Sequence, residues 1–450
     1  MKKIKSEKVH IISLGCSKNL IDSEVMGALC NKSGRKLVER SDAADIVIVN
    51  TCAFINPAKE EALEEILTLV EEKKKAARKF QLVVAGCLAQ RYGKELFAQI
   101  PEVDLFIGTG EVGNIVNHLN KLNQGKSRRA TVITKPDFLM TSRHERVLSS
   151  TAVSTFLKIS DGCSNCCSYC AIPSIRGQAR SRKPNDILKE AANLVARGIR
   201  EIIITGQDTT AYGRDLKSQP SLSDLLTGMA KIKSIKWIRL LYAHPAHINT
   251  DILETIAANK KICRYIDLPI QHIDDAILQA MGRKVTGTQI REIITLAREI
   301  IPDVALRTSL IVGFPGETTK RFEKLLNFVR EIKFDHLGVF TYSREEGTKA
   351  AQLKSQISEK EKERRREIIM SEQAAISNAI NKSLIGSIQE VLIEEKSDRA
   401  DFAFMGRCRR QAPEIDGITY IKDGKAQIGK IVQCKITEAD DYDLFAEAIG

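Results

Sequence analysis

Asp161-Gly-Cys-Ser-Asn-Cys-Cys-Ser-Tyr-Cys170, continued by Ala-Ile-Pro-Ser-Ile-Arg-Gly177, decides how this sequence is read, because it holds four of the chain's eleven cysteines. Cys163, Cys167 and Cys170 form C-x3-C-x2-C. Cys163 with Cys166, and Cys167 with Cys170, form two abutting C-x2-C pairs. A zinc site built from two such pairs normally needs about fifteen to twenty residues between them, so that the knuckles can face each other. Abutting pairs leave no chain for that. Iron–sulfur ligation is the better reading, although a cluster usually takes four thiolates. Three would leave one iron open to a substrate or cofactor, as open sites do in metal catalysis. On this reading Cys166 is a passenger.

The rest of the composition is that of an ordinary globular chain. It has 450 residues, 43% hydrophobic and 28% charged, with a net charge of +12, long enough for two or three domains. No apolar run approaches the length of a membrane span, and the basic start Met1-Lys-Lys-Ile-Lys lacks the apolar stretch of a signal peptide. A cytoplasmic location is therefore expected, where cysteines serve as metal ligands or core residues rather than disulfides. The positive charge points to an anionic partner such as RNA or a ribosome surface.

Outward from the cysteine stretch, apolar runs alternate with helical patterns. Toward the N-terminus the expected strands are 9–14, 46–49, 82–85 and 104–107. Helices are expected over 19–32, from Pro57 to Lys79, and over 111–122. That alternation predicts a parallel sheet. Cys16, Cys52 and Cys87 each follow the carboxyl end of a successive strand, two of them in Gly-Cys. Strand ends on one edge of an open α/β sheet are where ligands bind. Three loops would therefore present three thiols to one place, and their common offset makes three unrelated buried cysteines the poorer reading. Cys30, Cys263, Cys408 and Cys434 share no such pattern and read as core or surface thiols.

Residues 123–150 read as a connector. Six βα units follow, with strands expected at 155–160, 201–205, 237–242, 265–268, 305–312 and 336–341. Six rather than eight units predict a partial barrel whose polar strand-end loops form the active mouth. Residues 358–384 read as a long charged helix with a solvated face. From 385 the pattern turns β, with turns at Asp416-Gly417 and Asp423-Gly424, predicting a small closed barrel of the OB type.

The C-x3-C-x2-C stretch, with Tyr169 before its last cysteine, resembles the signature of the radical SAM superfamily. Together with Cys16, Cys52 and Cys87 and the terminal barrel, it makes the whole chain similar to the radical SAM methylthiotransferases. Leu14-Gly-Cys-Ser-Lys-Asn-Leu-Ile-Asp-Ser-Glu24, Gln207-Asp-Thr-Thr-Ala-Tyr-Gly213 and Tyr342-Ser-Arg-Glu-Glu-Gly347 resemble the RimO branch. Ser17 stands where that branch often has proline. The resemblance implies an α/β fold of five parts. An N-terminal methylthiotransferase domain (1–122) and a linker (123–150) lead to a partial TIM-like (βα)6 radical SAM barrel (151–357). A connecting helix (358–384) then leads to a C-terminal TRAM β-barrel (385–450).

The same resemblance implies two [4Fe–4S] clusters. One sits on Cys163, Cys167 and Cys170, its open iron holding S-adenosyl-L-methionine (SAM); the other sits on Cys16, Cys52 and Cys87. The implied reaction is radical methylthiolation of the β-carbon of an aspartate in small-subunit ribosomal protein 12. The barrel cluster reduces SAM to give a deoxyadenosyl radical, the N-terminal cluster supplies sulfur, and a second SAM supplies the methyl group. An electron donor and a sulfur donor are implied partners, and a monomer is expected. Tyr169, Gln207, Gln271 and Arg307, at the barrel mouth, are the expected SAM contacts. The alternatives are a MiaB-type tRNA methylthiotransferase and a non-catalytic iron–sulfur RNA-binding protein. Residues 384–450 carry nine Lys and Arg against thirteen Asp and Glu, a net of −4. That suits a basic protein substrate better than RNA, and Glu414 and Asp416 are expected to belong to its docking surface.

Overall fold

The computed structural model describes residues 6–75, 80–124, 129–148, 152–422 and 426–449. The chain divides into two compact units. The first comprises Met1–Ser149, Ser160–Asn165 and Cys170–Arg182; the second comprises Ser150–Ile159, Cys166–Tyr169 and Lys183–Gly450.

The first unit is a parallel sheet. Its strands are β1 (Lys8–Ser13), β2 (Lys36–Leu37), β3 (Ile46–Thr51), β4 (Gln81–Gly86), β5 (Leu105–Ile107) and β6 (Ala130–Val132). Their order is β2-β1-β3-β4-β5-β6, and each neighbouring pair is parallel. β3, Ile-Val-Ile-Val-Asn-Thr, is buried throughout, as a central strand covered on both faces must be. Val47, Val49, Leu82, Val84 and Phe106 pack on one face against Ala62, Ile66 and Leu69 of the helix Asn56–Lys75. Residues 76–79, the expected end of that helix, lie outside the described residues. Sequence order reverses between β1 and β3, which makes this the switch point where doubly wound sheets bind ligands.

Several elements of this unit differ from expectation, the short edge strand β2 among them. The helix Cys87–Gln99 starts directly on the third cysteine. The pattern expected over 111–122 splits into a 3-10 turn, Thr109–Asn114, and a helix, Ile115–Asn123. The stretch read as a connector holds β6, which extends the sheet beyond β5, and Arg146 pairs with Glu24 at 2.6 Å. It reads as a connector because polar residues outnumber apolar ones, yet a three-residue edge strand needs little apolar content.

The chain enters the second unit with β7 (Ser154–Lys158). It returns to the first for the antiparallel pair β8 (Ser160–Asp161) and β9 (Arg180–Ser181). The second unit continues with β10 (Glu201–Thr205), β11 (Trp237–Leu240), β12 (Tyr265–Asp267), β13 (Ala305–Val312) and β14 (His336–Thr341). These form two parallel three-stranded sheets, β11-β10-β7 and β12-β13-β14. Backbone bonds from Cys263 N–H to Ile238 O (2.8 Å) and Ala243 N–H to Asp267 O (2.9 Å) join β11 to β12. The result is the six-stranded partial barrel. Most of its helices are capped by a side chain just ahead of their first residue. Ser221, Asn249, Asp274 and Thr318 each cap a backbone N–H three residues on, and Thr286 makes a full capping box with Gln289. Each such cap is worth about 1 kcal/mol.

The helix Glu359–Ser383 is not simply solvated. Lys362, Arg365, Gln373 and Ser377 are buried. Lys362 Nζ donates to Tyr342 O at 2.8 Å, and Arg365 Nη1 donates to Glu317 O at 2.6 Å. The helix therefore ties down the loops after β13 and β14. Its charged repeat conceals this, because long cationic side chains can bury their stems and still find acceptors.

The chain ends in β15 (Ile388–Lys396), β16 (Phe404–Cys408), β17 (Thr419–Ile421), β18 (Ile431–Ala439) and β19 (Leu444–Ala448), closed in the order β15-β16-β17-β19-β18. This is a five-stranded Greek-key barrel of the OB type. Its interior is Val391, Ile393, Cys408, Ile421, Cys434, Ile436, Leu444 and Ala446. The turn expected at Asp423-Gly424 lies outside the described residues.

The terminal barrel seats on the amino ends of the (βα)6 strands. Arg407 Nη2 reaches Glu201, the first residue of β10, at 2.6 Å, and Glu394 at 2.7 Å; Arg239 Nε on β11 reaches the same Glu201 at 2.8 Å. Ser154 on β7 donates to Glu394 at 3.0 Å. Tyr265, first in β12, donates its hydroxyl to Asp416 at 2.7 Å. His336, first in β14, bonds Arg410 O at 2.7 Å. Asp416 therefore does not belong to a docking surface. Its carboxylate is fully buried, and only the neighbouring Glu414 is exposed.

Candidate metal centres

The first centre is built at the switch point of the parallel sheet. Gly15 (φ +87) turns the chain out of β1, and a side chain at this position would overlap Cys52 Cβ at 2.5 Å. Glycine here lets the β1 loop lie directly on Cys52. Gly86 (φ +92) performs the same turn after β4, where a Cβ would strike Asn50 and the Thr51 carbonyl. Cys16 caps one helix in extended backbone geometry and Cys87 opens another. Two of the three sulfurs thus stand at helix N-termini, a position that favours the thiolate but that burial outweighs at Cys87.

The polar frame is specific. Asn19 Nδ2 donates to Leu14 O (3.0 Å) and Thr51 O (2.9 Å), pinning the β1 and β3 loops together. Asn50 Nδ2 donates to Asn19 O at 2.8 Å. Arg176, buried, donates to Asn19 Oδ1 at 2.6 Å and to Asp22 Oδ2 at 2.8 Å, and its Nη2 lies 3.9 Å from Cys87 Sγ. Burial would push the Cys16 thiol up, but the charges of Lys18 and Arg176 and the backbone N–H groups of Asn19 and Lys18 bring it below its ordinary value. Cys52 is raised by burial and by the charge of Cys16. Cys87 is pushed up to about 12, again by burial, with Arg176 opposing. Each later thiol feels the charge of the earlier ones, so the three form one electrostatic group.

Three mutually close soft donors, with Asn19 and Asp22 already engaged by Arg176, fit an iron–sulfur cluster that keeps one iron open. Cys30, Cys263, Cys408 and Cys434 are buried elsewhere, and among the described residues none of the eleven cysteines forms a disulfide.

The cysteine stretch divides between the two units, with Ser160–Asn165 and Cys170–Arg182 in the first and Cys166–Tyr169 in the second. In the first unit, Cys163 N–H donates to Gly177 O at 3.0 Å, and Cys170 Sγ accepts from Ile172 N–H at 3.5 Å. In the second, Ser168 is clamped: its N–H donates to Met281 O (2.8 Å), its Oγ to Ala280 O (2.7 Å), and its carbonyl accepts from Ala350 N–H (2.8 Å). Gly282 (φ +72) lets the Met281–Arg283 turn approach Cys166 and Cys167. Arg283 then donates to Cys167 Sγ at 3.8 Å and to Pro269 O at 2.6 Å. The Cys163–Cys170 spacing gives no hint of this arginine. Cys166, between them, is exposed.

The expected SAM contacts fall into two groups. Tyr169 packs on Ile277, Met281, Phe314, Tyr342 and Ala350, Gln207 follows β10, and Gln271 is bridged to Leu310 in the carboxyl half of β13. All three lie toward the carboxyl ends of the barrel strands. Arg307 does not. It is third in β13, near the amino end, where it pairs with Asp267 at 2.9 Å and Asp416 at 3.5 Å. A strand of eight residues has two ends, and the residue type alone does not say which one it occupies.

Beside the mouth, Asp208, His244 and His247 have ligand-type atoms within 4.8 Å of one another, yet their hydrogen bonds are those of a proton-holding cluster. His247 Nδ1 bonds Asp208 Oδ2 at 2.7 Å, and His244 Nδ1 accepts from Ala246 N–H, so neutral His244 carries its proton on Nε2. Burial would raise the Asp208 carboxyl, but hydrogen bonds from His247 and Thr210 and the two imidazoles hold it at about 2. Burial and the nearby Arg283 push His244 down to about 3.

The fold and the cysteine stretch define a radical SAM enzyme with an appended TRAM barrel. Residues 157–329 match the radical SAM superfamily, 385–449 the TRAM domain, and 8–108 the uncharacterized protein family UPF0004. The superfamily carries a [4Fe–4S] cluster and SAM. A solved radical SAM methyltransferase, TsrM from Kitasatospora setae, shares the fold at a TM-score of 0.56 and 14% identity, over 86% of this chain and 81% of its own.

The particular family follows from closer relatives. The ribosomal protein uS12 methylthiotransferase RimO of Syntrophus aciditrophicus is 54% identical over 99% of both chains. Those of Geobacter sulfurreducens and Geotalea uraniireducens are 48% and 46% identical over at least 98% of both. This chain belongs to the RimO family of radical SAM methylthiotransferases.

Proposed function

We infer that this chain methylthiolates ribosomal protein uS12 at the β-carbon of an aspartate, using two [4Fe–4S] clusters and SAM. The observation that carries the two-cluster reading is the gathering of Cys16, Cys52 and Cys87 at the sheet's switch point, a second thiol set besides the radical SAM cysteines. An sp3 C–H bond beside a carboxylate is too weakly acidic for a side-chain base near neutral pH. The clusters and SAM supply the one-electron and sulfur chemistry that side chains lack. Cys163, Cys167 and Cys170 would hold one cluster and Cys16, Cys52 and Cys87 the other.

The protein's own part is placement. Arg283 and the clamp on Ser168 fix the Cys167 segment against the barrel. Lys362 and Arg365 immobilise the loops at the mouth. Tyr169, Gln207 and Gln271 are proposed to meet SAM there. Among the described residues no helix is long and apolar enough to cross a membrane.

The test is mass spectrometry of purified uS12 after incubation with anaerobically reconstituted protein, SAM and a reductant. The expected product carries one methylthio group in place of hydrogen on an aspartate. Modification of tRNA, with uS12 untouched, would refute this reading.

A further inference from the structure

Arg176 lies six residues beyond Cys170, yet its guanidinium is directed at the other thiol set. It is 3% exposed. Its contacts are Asn19 Oδ1 (2.6 Å), Asp22 Oδ2 (2.8 Å), Asp161 Oδ2 (3.2 Å) and Cys87 Sγ (3.9 Å). Burying a guanidinium costs several kcal/mol unless it is paired and fully hydrogen-bonded. Two carboxylates would suffice for that. The geometry gives it more: Nη2, held by Asn19, is also turned toward Cys87 Sγ, while Nη1 takes the carboxylates. Asn19 is the residue that pins the Cys16 and Cys52 loops together.

We propose that Arg176 is a positioning residue of the Cys16/Cys52/Cys87 centre, one that fixes its frame through Asn19 and sets the reduction potential of the cluster held there. The proposal rests on the reading that these three thiols hold a cluster. The physical ground is that a cluster gains negative charge on reduction. A cation and an N–H donor beside one of its sulfurs stabilise the reduced form. Asp22 opposes this by drawing the guanidinium's charge toward itself. The segment that follows Cys170 thus supplies the counter-charge for the other cysteine set.

The two partners give the experiment opposite signs. Full-length protein carrying Cys163→Ala, Cys167→Ala and Cys170→Ala is reconstituted anaerobically, so that only the remaining set can load. Its midpoint potential is then followed by EPR in a dye-mediated titration. Arg176→Gln is expected to shift the reduction equilibrium about tenfold toward the oxidised cluster, ~59 mV for a one-electron couple, and Arg176→Lys by less. Asp22→Asn is expected to shift it the other way. A purely structural role would loosen the centre in the same direction with either partner changed. Unchanged potentials in Arg176→Lys and Asp22→Asn, both fully loaded, would overturn the proposal. Failure of the parent, with Arg176 intact, to load iron would instead overturn the cluster assignment beneath it.

Discussion

Replacing Asp416 by alanine should release the terminal barrel from the (βα)6 barrel. The carboxylate accepts from Tyr265 OH (2.7 Å) and Ala412 N–H (2.7 Å) and faces Arg307 at 3.5 Å. Leaving a buried donor unsatisfied costs about 1–3 kcal/mol, and breaking a buried ion pair costs about 3–5 kcal/mol. These do not add in full, because Arg307 keeps Asp267 at 2.9 Å. A net loss of about 3 kcal/mol is expected. With a urea slope of ~2 kcal/mol per molar, the undocking midpoint should fall by ~1.5 M. The assay is built into the chain: Trp237 is its only tryptophan, buried at the seat with the Arg409 guanidinium 5.3 Å from its ring. Its emission should shift to the red at lower urea in Asp416→Ala, with Asp416→Asn in between. A midpoint within ~0.3 M of the parent would refute the reasoning, since it would mean the buried network holds nothing.

Reconstituted protein should bind about eight irons as two [4Fe–4S] clusters. Changing Cys16, Cys52 and Cys87 together to alanine should leave about four and abolish sulfur insertion while sparing SAM cleavage. Cys166→Ala should change neither measurement. His244 makes stability pH-dependent. Because its folded pKa of about 3 lies below the ordinary 6.5, the unfolded chain takes up the proton first as pH falls. The native advantage is complete above about pH 6.5 and shrinks toward pH 3 by ~1.4 kcal/mol per unit. Urea midpoints should therefore fall by the equivalent of about 2 kcal/mol more between pH 6.5 and 5.0 in the parent than in His244→Asn.

What was legible in the sequence is what local pattern encodes. The strand runs, the three strand-end cysteines and the C-x3-C-x2-C spacing need only near neighbours, and the fold class follows from them. What was not legible depends on partners far along the chain. Arg176 and Arg283 look like any surface arginine until Asn19, 157 residues away, and Cys167, 116 away, are beside them. The helix Cys87–Gln99 is hidden because its first residue reads as part of the loop after β4. Arg307 serves the amino end of the barrel and not its mouth, because position along β13, not residue type, decides which end a side chain reaches.

Where a charge sits decides what it can do as much as its sign does. The terminal barrel's net of −4 suggests an acidic face, but much of its charge is spent internally. Glu394 serves Arg407, Glu390 serves Arg409, Asp416 faces Arg307, and Asp443 accepts from Ile418 N–H. Charges paired in this way, some within the barrel and some, like Asp416 and Glu394, at its seat on the strand ends, are largely taken up and leave little to steer a basic partner. The acidic groups that do face solvent include Glu395, Asp398 and Asp401, at the end of β15 and in the loop to β16. Exposed charges act chiefly on association rate and its salt dependence. A steering role for this barrel is therefore to be sought at that loop, where charge can change without disturbing the seat.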